Sequence, residues 1–580
     1  MDRSPPAAPL GFTVGITGHR MVDGGAADRL MAQVTAVLQA LGAAVHGAPA
    51  RASDAVVPPF SPDLPRLRLL SPLAPGADQL AAQAALDAGW EVAGILPFAR
   101  EDYGGMLDGA ARAGLLELAA RAGTLLELPG DPARAVDAYH LAGRVTLAHS
   151  DVLLAIWDEE PARGRGGTGE VVEAALEADT PVLLFDPAGR ASPRLLRFGK
   201  DRPATDEEIA ALAAALVDPP APPFERQHLQ TFLLEGEQRT RKRLEYPLLL
   251  QLTGVKRLTR SALRVPAFRD AARADWAPFR ERCGPPHGLV LDVDALEHAY
   301  CWADGLAQHF AQSHRSGHVF NFAMGALAIL LALTSLIWAD GKYLLAGGEF
   351  VVILAIVANT RLGLAAAWHR RWLDYRQLAE RLRPMRSLSL LAAARPPPAA
   401  RDRWADWYAR AWWRRLGLPA GSLDLQRATA LATVLGQEEL LPQVAYHEAS
   451  AALAHRLDHR LHRIGLALFL LTCVSCVLLI AALAFAPVWA KAHAEWFVLA
   501  SAGLPALGTA SFGIRVQGDF GGTAHRSRAT AAKLRMLAAE LGRGPPLARA
   551  AKLFERAAAA MIADLDEWRA EHQKHELALP

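Results

Sequence analysis

Residues 14–20 read Val14-Gly15-Ile16-Thr17-Gly18-His19-Arg20. A short apolar run that ends in a glycine-bearing loop is how a buried parallel strand hands over to a helix. Outward from it, short apolar runs alternate with helical patterns over about 185 residues. Strands are expected near Thr13–Ile16, Leu67–Leu70, Val92–Leu96, Leu125–Leu128, Val152–Trp157 and Val182–Phe185. Helices are expected at Ala26–Leu41, Ala77–Ala88, Val136–Ala148 and Gly169–Ala178. This alternation predicts an α/β, Rossmann-like domain with a parallel sheet over residues 1–190.

In such sheets ligands bind beyond the carboxyl ends of the strands. Three loops fall there. Thr17-Gly18-His19-Arg20 follows the first strand, and Pro75-Gly76-Ala77-Asp78 opens a helix after the second. Trp157-Asp158 follows the fifth and leads through Gly164-Arg165-Gly166-Gly167-Thr168 into another helix. Glycines let backbone amides approach a phosphate, and helix N-termini favour anions. Arg20 adds a bidentate donor and Thr168 a hydroxyl, while Asp78 and Asp158 suit ribose hydroxyls or a base amine. Singly, Gly18 and Gly76 also fit plain turns, Asp78 a first-turn carboxylate, His19 a structural hydrogen bond and Trp157 the core. Together they predict a nucleotide-type ligand, with no further cofactor required.

The C-terminal half has a different character. Residues 319–339 and 464–490 contain no Asp, Glu, Lys or Arg. At about 1.5 Å per residue each can cross a hydrocarbon core of roughly 30 Å. Residues 343–360 and 496–514 complete two hairpins, giving an all-α membrane region with four transmembrane helices. Among the arginines between the hairpins, Arg370, Arg371, Arg376, Arg381, Arg383, Arg386, Arg401, Arg403, Arg410, Arg414 and Arg415 are read as juxtamembrane anchors. By the positive-inside rule they place both termini in the cytoplasm. The expected division is 1–190 α/β domain, 191–318 helical linker, 319–360 first hairpin, 361–463 cytoplasmic helices, 464–514 second hairpin and 515–580 C-terminal helices.

A formal net charge of +2 gives no case for nucleic-acid binding. Cys473 and Cys476 form a CxxC inside a span and are read as small packing residues rather than a metal site. Glu349, an ionisable group within a span, is a pore candidate. The small residues Ala502-Gly503, Ala506 to Gly508 and Ala510-Ser511 suit the close helix packing that a homo-oligomer needs.

Several motifs resemble the SLOG superfamily of Rossmann-like nucleotide sensors, relatives of the cytokinin-activating LOG phosphoribohydrolases. They are the Val14–Arg20 opening, Pro75-Gly76-Ala77-Asp78, Leu96-Pro97-Phe98 with Glu101-Asp102-Tyr103, and Ser150 to Asp158 followed by the Gly164 to Glu173 run. LOG enzymes carry a PGGxGTxxE motif whose glutamate takes part in cleaving the N-glycosidic bond. Matching Thr168 to the threonine puts Val171 at the glutamate position. Matching Gly166-Gly167 to the paired glycines puts Glu173 there and Glu170 at the threonine. In an enzyme, Glu173, Glu170 or His19 would take acid–base roles.

Each hairpin returns into a basic helix, Arg371-Trp372-Leu373-Asp374-Tyr375-Arg376 and Arg526-Ser527-Arg528 with Lys533-Leu534-Arg535. This resembles the SLATT domains, two-transmembrane effectors associated with SLOG sensors. The combined resemblance implies a bacterial inner-membrane sensor and effector, homo-oligomeric and active in antiphage defence, that binds a nucleotide-derived signal and gates or permeabilises the bilayer. A membrane-tethered LOG-like hydrolase is the alternative, and a ligand-independent scaffold a third.

Overall fold

The computed structural model describes residues 4–572 apart from 23, 161–165, 198, 239–242, 260–264 and 399, with backbone alone at 339 and 564–572. Its strands are β1 (Gly11–Gly18), β2 (Arg66–Ser71), β3 (Glu91–Leu96), β4 (Thr124–Glu127), β5 (Val152–Ile156), β6 (Val182–Phe185), β7 (Arg194–Arg197), β8 (Lys200–Pro203), β9 (Leu289–Val290) and β10 (Ala420–Ser422). They form one sheet in the order β8-β7-β6-β5-β1-β2-β3-β4-β10-β9. β1 to β6 are parallel, with Val14 opposite Leu69 on one side and Val152 on the other. The central strands are covered on both faces, so Phe12, Val14, Ile16, Leu154 and Ile156 are all buried. The expected α/β domain and each of its six strands are present.

Both edges of the sheet are completed by chain that the sequence reads as helical. β7 and β8 form an antiparallel hairpin beyond β6. At the other edge β10 pairs parallel to β4, and β9 runs antiparallel beyond it. β9 and β10 are 2 and 3 residues long. So short a run has no readable alternation; it becomes strand because an existing edge supplies hydrogen-bond partners.

The helix Trp404–Leu416 then packs on the α/β domain. The Tyr408 hydroxyl donates to Pro6 O at 2.6 Å and Trp407 Nε1 to Val217 O at 2.7 Å. His149 meets Ala392 O at 2.9 Å and stacks on Trp413 with ring centroids 4.7 Å apart. Residues of 361–463 therefore share one apolar core with the α/β domain.

Four helices are long and apolar enough to cross a membrane, in two hairpins. They belong to Asp294–Ile337, Lys342–Ala365, Leu441–Phe485 and Ala494–Gln517. Phe350, Val351, Phe469, Val477 and Ile480 project outward with 61–68 % exposure. An apolar belt of this kind is the surface of a multi-pass membrane protein. The second clean span ends at Phe485 rather than at 490, because Pro487 opens a separate short helix.

The helix Asp294–Ile337 is continuous over 44 residues and contains no proline. At about 66 Å it is roughly twice as long as the hydrocarbon core is thick. Its first half, with Leu296, Tyr300, Leu306 and Phe310, belongs to the core shared with the sheet. Its second half packs against Lys342–Ala365 and Ala494–Gln517. Within this bundle Asn359 Nδ2 donates to Asn321 Oδ1 at 2.7 Å, and Asn321 Nδ2 to Thr360 Oγ1 at 2.9 Å. The small residues of Ala494–Gln517 serve this chain's own packing. A Cβ at Gly513 would stand 2.3 Å from the Phe322 ring, and one at Gly503 would stand 3.0 Å from Leu330.

Two sequence readings are corrected. Arg376 pairs with Glu380, Arg381 with Asp406, Arg386 with Glu439 at 2.7 Å, and Arg414 with Asp151 at 2.8 Å. Arg371 pairs with Glu235 and Arg401 with Asp179. These arginines stitch the folded interior; they are not free anchors for headgroups. Cys473 and Cys476 are exposed thiols on the bundle's outer surface rather than packing residues. Glu349 is half-buried and Arg361 exposed on their helix.

Candidate functional site

In the parallel part of the sheet the chain runs outward from β1 through β2, β3 and β4 on one side, and through β5 and β6 on the other. The strand order reverses between β1 and β5, and a crevice opens at their carboxyl ends. A cavity of about 270 Å³ lies there, near the lower bound of roughly 300 Å³ for small-molecule sites. Thr17, Gly18, His19, Arg20, Asp78, Asp158, Gly166, Gly167 and Thr168 line it together. The three loops singled out in the sequence thus converge.

Gly76 and Ala77 stand behind this lining and hold it. Ala77 N donates to His19 O at 3.0 Å. Gly76 has φ +84°, and a Cβ there would lie 2.5 Å from Arg20 O. A Cβ at Gly18 would lie 2.5 Å from that of Ala77. Both glycines are required by the close approach of β1's loop to the helix Ala77–Asp87.

His19 Nε2 is 3.2 Å from Asp158 Oδ1 and 3.3 Å from Asp158 N. A neutral ring accepts the amide, and a protonated one pairs with the carboxylate. Arg20 lies over the Tyr139 ring, 4.4 Å from its centroid. Gly166, at φ +82°, donates its amide to Glu170, whose other oxygen is 3.2 Å from His140 Nδ1. That contact fastens the glycine loop at the start of the helix Thr168–Glu177. Gly164 lies outside the described residues.

The floor is polar and buried. Asp78 and Tyr103 are 7 % and 1 % exposed. Asp78 Oδ1 and the Tyr103 hydroxyl have no hydrogen-bond partner among the described residues. Burial pushes the Asp78 carboxyl up to about 7, against the opposing pull of a backbone hydrogen bond at Ala74 and of the Arg20 charge. Burial, then the nearby Asp78, raise the Tyr103 hydroxyl far above its usual value.

Other residues sit differently from their reading. Trp157, read as core, lines the crevice and donates Nε1 to Glu160 O at 3.1 Å. Val171 lines the cavity, whereas Glu173 is exposed and outside the lining. Glu170 is held by Gly166 and His140. Tyr103, Tyr139, Gly143 and Thr146 complete the wall without having been read as site residues. Tyr103 follows the end of β3, a position that could have drawn notice; Tyr139 and Thr146 lie mid-helix and carry no such signal.

No protein-family model matches the chain, and neither a curated protein nor a solved structure matches it.

Proposed function

We propose that the chain is a membrane-embedded sensor and effector that binds a nucleoside-type ligand in the β1–β5 crevice and couples occupancy to its four-helix bundle. The observation that carries this reading is the pair of buried, unpartnered acceptor and hydroxyl groups on Asp78 and Tyr103. A base amine or ribose hydroxyl would satisfy them, and Asp158 at the mouth takes a second donor. An anionic group of the ligand would meet Arg20 and the amides at Gly167 and Thr168. With Asp158 and Glu160 also lining the cavity, a ligand with many donors and few negative charges suits it better than a polyphosphate.

The continuous helix Asp294–Ile337, rooted in the core shared with the sheet, is the route by which a change in the domain reaches the bilayer. A ligand acts through it only by binding one arrangement better than another. The motif resemblance to SLOG sensors and SLATT effectors supports an inner-membrane role in antiphage defence, with cytoplasmic termini and a homo-oligomeric assembly. The hydrolase alternative loses support from Glu173, which stands outside the crevice, and Val171, which stands in it.

The test uses the full chain in nanodiscs, because residues beyond 190 complete the sheet. Melting temperatures are recorded with a panel of nucleosides, nucleotides, cyclic oligonucleotides and ADP-ribose derivatives, with ligand integrity followed by mass spectrometry. Binding at a hundredfold excess over Kd stabilises by about 2.7 kcal/mol. A shift with intact ligand, followed by ligand-dependent leakage from liposomes, supports the proposal. Cleavage of the ligand by the chain would make it a hydrolase instead.

A further inference from the structure

We propose that a second cavity, at the ends of the membrane helices nearest the α/β domain, binds the phosphate headgroup of an anionic phospholipid. It encloses about 380 Å³, more than the β1–β5 crevice, and three of the four membrane-crossing helices contribute to it. Its charge is one-sided. Arg315 is the cation it presents; Arg376, already paired with Glu380, and His314, His318 and His447 also line it, and no Asp or Glu is among its lining residues.

Arg315 is the distinctive member. The arginines that bind the interior together are matched to carboxylates, as Arg386 is to Glu439 at 2.7 Å. Arg315 is exposed, makes no ion pair among the described residues, and is steadied instead by rings. Its guanidinium lies 5.0 Å from the Trp372 centroid and 5.6 Å from that of Tyr246. A cation held by aromatic faces keeps its N–H donors available for an oxyanion. His314 and His318 line the same cavity and approach to 3.1 Å between their Nε2 atoms, one ring donating to the other.

Depth selects a lipid over a soluble phosphate compound. The apolar lining runs from Ala307 and Ala311 through Leu453, Ala454 and Phe520 to Val319 and Ile514, and Val319 begins the stretch 319–339 that has no charged residue. The cavity therefore straddles the level where headgroup gives way to acyl chain. Tyr and Trp collect at this level, and basic pockets between helices take anionic headgroups there.

The full chain is reconstituted in phosphatidylcholine nanodiscs with and without phosphatidylglycerol, released, and weighed by native mass spectrometry. One phosphatidylglycerol retained per chain in preference to phosphatidylcholine is expected. Arg315→Gln should weaken retention about fivefold, the factor one juxtamembrane cation contributes. Arg361→Gln, which removes an exposed arginine outside the cavity, should leave retention unchanged. The lipid-dependent rise in melting temperature of the unmutated chain is an independent readout should a variant fold poorly. Equal retention by the unmutated chain and Arg315→Gln, or no preference for the anionic lipid, overturns the proposal. Displacement by inorganic phosphate or glycerol phosphate overturns it too, in favour of a soluble ligand.

Discussion

Arg414 Nε donates to Asp151 Oδ1 at 2.8 Å, while Oδ2 of the same carboxylate accepts the Thr13 amide at 3.0 Å. The start of β5, the middle of β1 and a helix 263 residues further along are thereby held by one carboxylate. Arg414 also donates to Leu216 O at 2.8 Å. Both side chains are largely buried, at 5 % and 14 % exposure.

Breaking this pair from one side should be costly. Arg414→Met leaves Asp151 charged and short of its partner, and we expect a loss of about 3 kcal/mol. The double variant with Asp151→Asn should lose less than the two single changes added together. Denaturant melts of the full chain in detergent check this. Strict additivity would show that the two groups do not act as a pair.

Asp78 makes the apo protein sensitive to pH in one direction. Its carboxyl is raised from 3.8 to about 7 in the fold. The stability tied to its protonated form is therefore complete below about pH 4 and lost as pH rises towards 7. Asp78→Asn should remove that slope, making the unliganded chain more stable at pH 8 by on the order of 4 kcal/mol. It should also weaken ligand binding, since one of the two acceptor oxygens becomes a donor. Melting temperatures across pH 4 to 8 decide; a constant difference between the two proteins would contradict the assignment.

His149 works the opposite way. Burial lowers it from 6.5 to about 3, with the Ala392 carbonyl contact opposing and the Arg68 and Arg395 charges adding to the fall. A base with a depressed value contributes stability above pH 6.5 that is lost as pH falls towards 3. By pH 5 the loss is about 2 kcal/mol. His149→Gln should flatten the acid limb of the melting profile, at some cost in packing against Trp413 at neutral pH. An acid limb unchanged by this variant would locate the titration elsewhere.

Gly76→Ala tests the loop that shapes the crevice. The position has φ +84°, and its new Cβ would meet backbone atoms of His19 and Arg20 at 2.5–2.6 Å. Backbone cannot swing aside as a side chain does, so a loss of about 2–3 kcal/mol is expected. Ligand-induced stabilisation should fall with it. Gly89→Ala is the matched control, because Gly89 has φ +77° but nothing within 4 Å of a new Cβ. Equal losses at the two positions would reduce Gly76 to an ordinary turn residue.

Much of the site was legible because its cues are local. Gly18 and Gly76 mark tight handovers from strand to helix, and Asp78 follows directly after one, so the residues declare their place in the chain. Trp157 misled because an aromatic at the end of an apolar run looks the same whether it faces core or crevice. Tyr139 and Thr146 gave no warning for a related reason. Which face of a helix meets a cavity depends on how helix and sheet pack, and their neighbours in sequence do not record that. The arginines between the hairpins show the same limit with opposite effect: their number suggested a lipid-facing cluster, whereas Asp406, Glu439 and Asp151 take Arg381, Arg386 and Arg414 into the interior.

By itself the sequence determined the six parallel strands, four of the helices between them, though not Gly109–Arg121, and the four membrane-crossing stretches. Each of these is written in periodicity, turn residues and hydropathy over a few to some twenty consecutive positions. Only the tertiary structure decided that residues near 289 and 420 complete the sheet, that Asp294–Ile337 joins the domain core to the bilayer as one rod, and that Arg315 is left to rings instead of carboxylates. Those outcomes depend on edges, charges and surfaces brought together from positions far apart in the chain, and no local pattern carries that information.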